Sequence, residues 1–95
     1  VHYEALVRQP EATLRTVCTF LGEDFSTQML GYAAANQARA LVPTHRLSWH
    51  SNTLRPPDPA RIGRWRQRLD AAQLSRFEQT AGRVLAMAGY DLAAA

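Results

Sequence analysis

Four of the five prolines in this chain fall between positions 43 and 59: Pro43, Pro56, Pro57 and Pro59. Each one fixes its own φ and removes a backbone donor, so neither a long helix nor a central strand can run through the span. The chain is thereby cut into two arms joined by an irregular segment. That segment also holds His45, His50, Ser48, Ser51 and Asn52 and keeps no helical period. A stretch of this length without regular structure is expected to be an ordered or functional loop. With 95 residues, the whole is one domain or part of one. A chain of this size buries only about 60–65% of its unfolded surface, which leaves a small core with little margin.

The arms carry local signals. VHYEALV, residues 1–7, alternates partly and reads as a short strand running into a turn. Pro10 fits the first turn of a helix. Leu14, Val17, Cys18 and Leu21 come next at i, i+3, i+4 and i+7, and Gly22 is its natural stop. Ser26 can cap a second helix with Met29, Leu30 and Ala33 inward, fading out near Leu41-Val42-Pro43. Past the loop, Asp58-Pro59 reads as a helix start, with Ile62, Trp65 and Leu69 as an apolar stripe that places Trp65 in the core. Asp70 and Gln73 fit a capping box. The last helix then presents Leu74, Phe77, Ala81, Val84, Leu85 and Ala88 on one face. Gly89 ends it, and Tyr90 folds back. The expected fold is mostly α: one short strand and about four helices. A lone strand needs partners, and the chain opens on Val1 rather than Met, so a fragment or processed product is expected.

Charge is uneven. All 11 basic residues are arginine. Seven of them (39, 46, 55, 61, 64, 66 and 68) lie between Arg39 and Arg68 against the single acid Asp58, a local net of +6. The remaining four arginines face seven acids. Such a block implies an anionic partner more strongly than the overall +3 does. Arginine grips phosphate in two-point contacts and keeps its charge at any physiological pH. A solvated arginine-rich surface is the plainer alternative.

Hydrophobic and charged fractions of 46% and 20% exclude disorder, collagen and coiled coil for the chain as a whole. Apolar runs are only a few residues long, so no membrane segment is expected, and no leader is visible at Val1. A cytoplasmic location is expected. The one cysteine, Cys18, excludes an internal disulfide framework and a multi-cysteine zinc site, and its place on the apolar stripe marks it as a buried small hydrophobe. His45 and His50 have no further ligands beside them, so no metal is expected.

Three stretches carry a resemblance. VHYEALVRQPEATLRTVCTFLG is similar to a YE-strand and FLG-helix segment of the 3′-phosphoadenylyl-sulfate-dependent sulfotransferases, in particular the bacterial group related to tyrosylprotein sulfotransferases. HSNTLRPPDPARIGRWRQRL resembles that family's basic loop ending in GRWR. LDAAQLSRFEQTAGRVLAMAGY resembles its closing helix. The order and spacing hold over nearly the whole chain.

The resemblance implies a P-loop-like α/β parent with a parallel sheet, of which this chain is the C-terminal third. The co-substrate would be 3′-phosphoadenylyl sulfate, and the sulfate acceptor a hydroxyl or an amine. The family's phosphosulfate loop, its 3′-phosphate motif and the base that activates the acceptor all lie outside these residues. The segment is therefore expected to be inactive alone and to line the nucleotide site. By resemblance, Tyr3 lies at the nucleotide, Arg55 before Pro56 is the basic contact, and Asn52 is the amide three residues earlier. The family often has a serine in this loop. Here Ser48 and Ser51 flank the position, which Trp49 occupies, and Ser51 is retained as the candidate. Arg61 and Arg64 flank the GRW turn and either serve a phosphate or pair with acids, while Gly63 permits close backbone approach. Glu4 is expected in a structural ion pair or cap, and His50 orients the loop or touches ligand. The helix opening at Pro59 would aim its amides at an anion.

The charge pattern fits such a donor, because adenosine 3′,5′-bisphosphate is polyanionic and its hydration must be replaced. Sulfuryl transfer, by analogy with phosphoryl transfer, needs positioning and charge stabilisation more than covalent catalysis. Two other classes compete: a basic helical nucleic-acid-binding module, built on RIGRWRQRL, and a helical protein-interaction module. No helix-turn-helix spacing supports the first, and no nucleic-acid partner is expected.

Overall fold

The computed structural model describes residues 1–93 and divides into two compact units, Val1–Ile62 and a second that begins at Gly63.

In the first unit the opening segment is a helix, α1 (Tyr3–Arg8), not the expected strand. The apolar positions explain the difference: Tyr3, Leu6 and Val7 lie at i, i+3 and i+4, which is one helical face. Glu4 in the first turn and Arg8 in the last complement the helix dipole. A lone strand would leave its backbone groups without partners, whereas the Leu6 N–H donates to the His2 carbonyl at 3.0 Å and Gln9 to Ala5 at 2.8 Å. No strand occurs among the described residues.

Pro10 opens α2 (Pro10–Leu21) at its first position, and Gly22 closes it at φ 73°, as the sequence indicates. The Gly22 N–H donates to Thr19 and the Glu23 N–H to Cys18, satisfying the last carbonyls. The core of this unit is very small. Val7 and Cys18, 7% and 6% exposed, are the buried apolar side chains, and the Cys18 thiol lies 4.0 Å from the Met29 sulfur. Cys18 is thus the buried small hydrophobe that its stripe position indicates.

The second expected helix is divided. Ser26 does cap, its hydroxyl accepting from the Gln28 N–H at 3.3 Å, but the element it caps is a 3-10 turn, Thr27–Gly31. The α-helix, α3 (Tyr32–Arg39), starts only after that turn and ends where Ala40 turns left-handed at φ 47°. Gly31 sits at the break, and its low helix propensity accounts for the division. Met29 and Leu30, expected inward, remain partly exposed.

The proline-rich span is a chain of short turns: a 3-10 turn at Thr44–Arg46, a single helical turn α4 (Leu47–His50), and further 3-10 turns at Ser51–Leu54 and Pro59–Arg61. Asp58 caps the last of these as predicted, accepting from Ala60 at 3.0 Å. That helix nevertheless stops after three residues, because Ile62 is extended. A three-residue turn has no appreciable macrodipole, so the anion-binding helix start expected at Pro59 is not formed.

The second unit holds α5 (Trp65–Arg68), one turn long, and α6 (Ala71–Met87). Ile62, Trp65 and Leu69 therefore do not share one helix: Ile62 is itself extended, and Gly63 follows it at φ 73° before the turn at Trp65 begins. Trp65 is not core either. It is 37% exposed, with the Arg66 guanidinium 4.6 Å from its ring centroid. The capping box is present in full: the Asp70 carboxylate accepts from Gln73 N–H at 2.8 Å, and the Gln73 side chain accepts from Asp70 N–H at 3.0 Å. At the far end the Tyr90 N–H reaches back to the Leu85 carbonyl at 2.9 Å. Leu92 then packs over Gly82, the one buried residue of α6.

Candidate functional site

The loop carrying Ser51, Asn52 and Arg55 is held by a neighbouring helix. From α3, the Tyr32 hydroxyl donates to the Arg55 carbonyl at 2.7 Å, Asn36 Nδ2 to the Thr53 carbonyl at 2.8 Å, and Gln37 Nε2 to the Leu54 carbonyl at 2.7 Å. Three successive loop carbonyls thus find partners on one helix. The loop also bonds to itself: Arg55 N–H to the Asn52 carbonyl at 3.2 Å, and the Thr53 hydroxyl to the His50 carbonyl at 2.7 Å. A loop whose own ladder is one short 3-10 turn must satisfy its remaining carbonyls elsewhere, and here polar side chains do it.

Arg55 itself is extended, φ −128° and ψ 153°, the region that a residue before proline favours. Its side chain is exposed. Asn52 is exposed and Ser51 half-buried, both on the Ser51–Leu54 turn. Trp49, in the position where the resembled family often has serine, is 85% exposed.

Two further candidates lie on elements that pack together in this unit. Tyr3 is on α1, and Arg61 is on the Pro59–Arg61 turn that α1 contacts. Arg61 Nε stands 3.9 Å from Asp58, a long and partly solvated pair that is worth little. A surface hollow of ≈ 320 Å³ is lined by His2, Glu4, Ala5, Arg8 and Gln9, and none of the predicted donor-site residues is among them.

Gly63 and Arg64 belong to the second unit. Gly63 needs its positive φ, and the Arg66 guanidinium stands over the place where a Cβ would project. Arg64 is half-buried just ahead of α5. Within the arginine block, and among the described residues, Arg61 alone has a carboxylate within ion-pair distance. Arg39, Arg46, Arg55, Arg64 and Arg68 therefore present charge with no carboxylate beside it among the described residues, with Arg66 stacked on Trp65.

The sequence reading missed Tyr32, Asn36 and Gln37. Their partners lie 17 to 23 positions away, beyond the reach of any cap or turn pattern. Among the described residues no helix is long and apolar enough to cross a membrane, and no group of three or more His, Cys, Asp or Glu side chains is placed to hold a metal ion. No family model, curated protein or solved structure matches this chain.

Proposed function

We propose that this chain is the C-terminal part of a sulfotransferase that moves a sulfuryl group from 3′-phosphoadenylyl sulfate to a hydroxyl or amine acceptor, and that it lines the nucleotide site. The observation that carries the reading is Arg55: a basic side chain without an acidic partner among the described residues, on a loop whose backbone is tied down on both sides. Uncompensated guanidinium groups on a fixed backbone suit a doubly phosphorylated ligand, because bidentate contacts need both charge and direction. The ordered likeness of the three motif stretches gives that ligand its identity. Tyr3, Ser51, Asn52 and Arg61, which belong to the same unit, complete the proposed contact set there, while Gly63 and Arg64 remain candidates by resemblance alone. The segment alone does not catalyse transfer, since the groups that hold the phosphosulfate and activate the acceptor lie elsewhere in the parent.

The test is calorimetric titration of adenosine 3′,5′-bisphosphate into the full-length protein and its Arg55→Ala variant. A charged hydrogen bond contributes about 1.5–3 kcal/mol, so affinity should fall by roughly 10- to 150-fold. Equal affinities would remove Arg55 from the site.

One observation favours a second reading, a nucleic-acid-binding module. Trp65 is partly exposed beneath Arg66, with Arg64 and Arg68 beside it, a pairing of aromatic and cationic groups on which bases can stack. Steeply salt-dependent binding to random single-stranded DNA, with no affinity for the bisphosphate, would establish that reading instead.

A further inference from the structure

We infer that Tyr32, Asn36 and Gln37 are positioning residues: a three-point clamp on the carbonyls of residues 53–55 that fixes the backbone from which the Arg55 side chain projects. The inference deepens the nucleotide-site reading and rests on it for what Arg55 grips. The clamp itself stands on geometry alone.

Every hydrogen-bonding group of the Arg55 backbone is committed. Its carbonyl accepts from the Tyr32 hydroxyl, and its N–H donates to the Asn52 carbonyl. Its ψ is further restricted by Pro56. The two preceding carbonyls are held by the side-chain amides of Asn36 and Gln37. The partners are carbonyl oxygens, so only the NH₂ end of each amide can face them. The roles are therefore specific to donors. An acid of the same shape presents only acceptors when ionised, and regains a donor when protonated.

A loop held this way loses little further freedom when a ligand arrives, and the affinity gained through preorganisation is the benefit. Without the clamp, residues 53–55 would keep only the local bonds of their own 3-10 turn and the Thr53 hydroxyl's bond to His50, and Arg55 would search many directions.

The decisive variants are Asn36→Asp and Gln37→Glu, which preserve shape and remove the donor at neutral pH, with Tyr32→Phe as a milder third. In the full chain, amide exchange of Arg55 measured by NMR should quicken about five- to tenfold at pH 7 in each acid variant. Relative to the unsubstituted chain at the same pH, the excess should shrink near pH 4, where a carboxyl group begins to carry its proton. Exchange equal to that of the unsubstituted chain at pH 7 overturns the clamp. So does an excess that persists undiminished at low pH, which would mark general damage to the fold rather than a lost donor.

A second arm reads the bisphosphate in the full-length protein. If Arg55→Ala weakens binding and Gln37→Glu does not, the clamp has no part in the site and the inference fails. If the unsubstituted protein does not bind the nucleotide, the sulfotransferase reading fails, and the exchange arm alone decides the clamp.

Discussion

The loop of residues 51–55 and the helix α6 are stabilised in opposite ways. The loop has almost no local signal. Its order comes from three side chains on α3, at sequence distances of 17 to 23. The helix has its instructions written at its ends, a full capping box at Asp70 and Gln73 and a turned-back Tyr90, yet much of its apolar face is bare. Phe77, Val84 and Met87 are 52%, 67% and 80% exposed, although the periodicity marks Phe77 and Val84 as inward. Polar tertiary contacts can thus order a segment whose own structure is one short 3-10 turn, and good caps can define a helix much of whose apolar face stays exposed. Caps specify where a helix begins, not what it packs against.

The largest effect should come from attacking the tertiary side of this contrast. Val7→Asp places a carboxylate at one of the two buried apolar positions of the first unit. An uncompensated buried charge costs about 3–5 kcal/mol, more than so small a core can absorb. NMR signals of residues 1–62 should collapse to unfolded positions. Retained dispersion would show that the polar clamp, not the apolar core, holds this unit.

Next in size is Gly22→Ala. Nothing lies within 4 Å of the added Cβ, so the cost is conformational: about 1–2 kcal/mol for a left-handed alanine at φ 73°. Urea denaturation followed by circular dichroism measures it, and an unchanged midpoint would mean that the chain leaves the left-handed turn freely.

Asp70→Ala removes the capping carboxylate of α6 and should cost about 1 kcal/mol. Amide exchange at Ala72 and Gln73 should quicken before the middle of the helix does. If the whole helix melts together, its ends are not its main support, and the contrast with the loop weakens.

The smallest effect belongs to Arg15→Ala. Arg15 meets Glu11 at 2.8 Å, but both side chains are more than half exposed. The pair is worth about 0.2–0.5 kcal/mol, and its contribution should vanish in about 1 M salt. A salt-insensitive loss would instead point to the Arg15 stack on Phe25, where the guanidinium lies 4.3 Å from the ring centroid.

What the linear chain determined is everything governed by neighbours within about one helical turn. Pro10, Gly22, Ser26, Asp58 and the Asp70–Gln73 pair all act where their types indicate, because a cap joins a side chain to a backbone group two or three residues away. Cys18 was legible for a similar reason, since its place on a periodic stripe fixed its face. Only the tertiary structure decided the rest. It ended the Asp58-Pro59 helix after one turn and left Trp65 half in water, whereas the helix over residues 3–8 was already present in the spacing of Tyr3, Leu6 and Val7. It also gave the loop its anchor in Tyr32, Asn36 and Gln37. Hydrogen bonds between groups 17 or more residues apart depend on how the chain closes back on itself, and no short-range pattern of residue types encodes that closure.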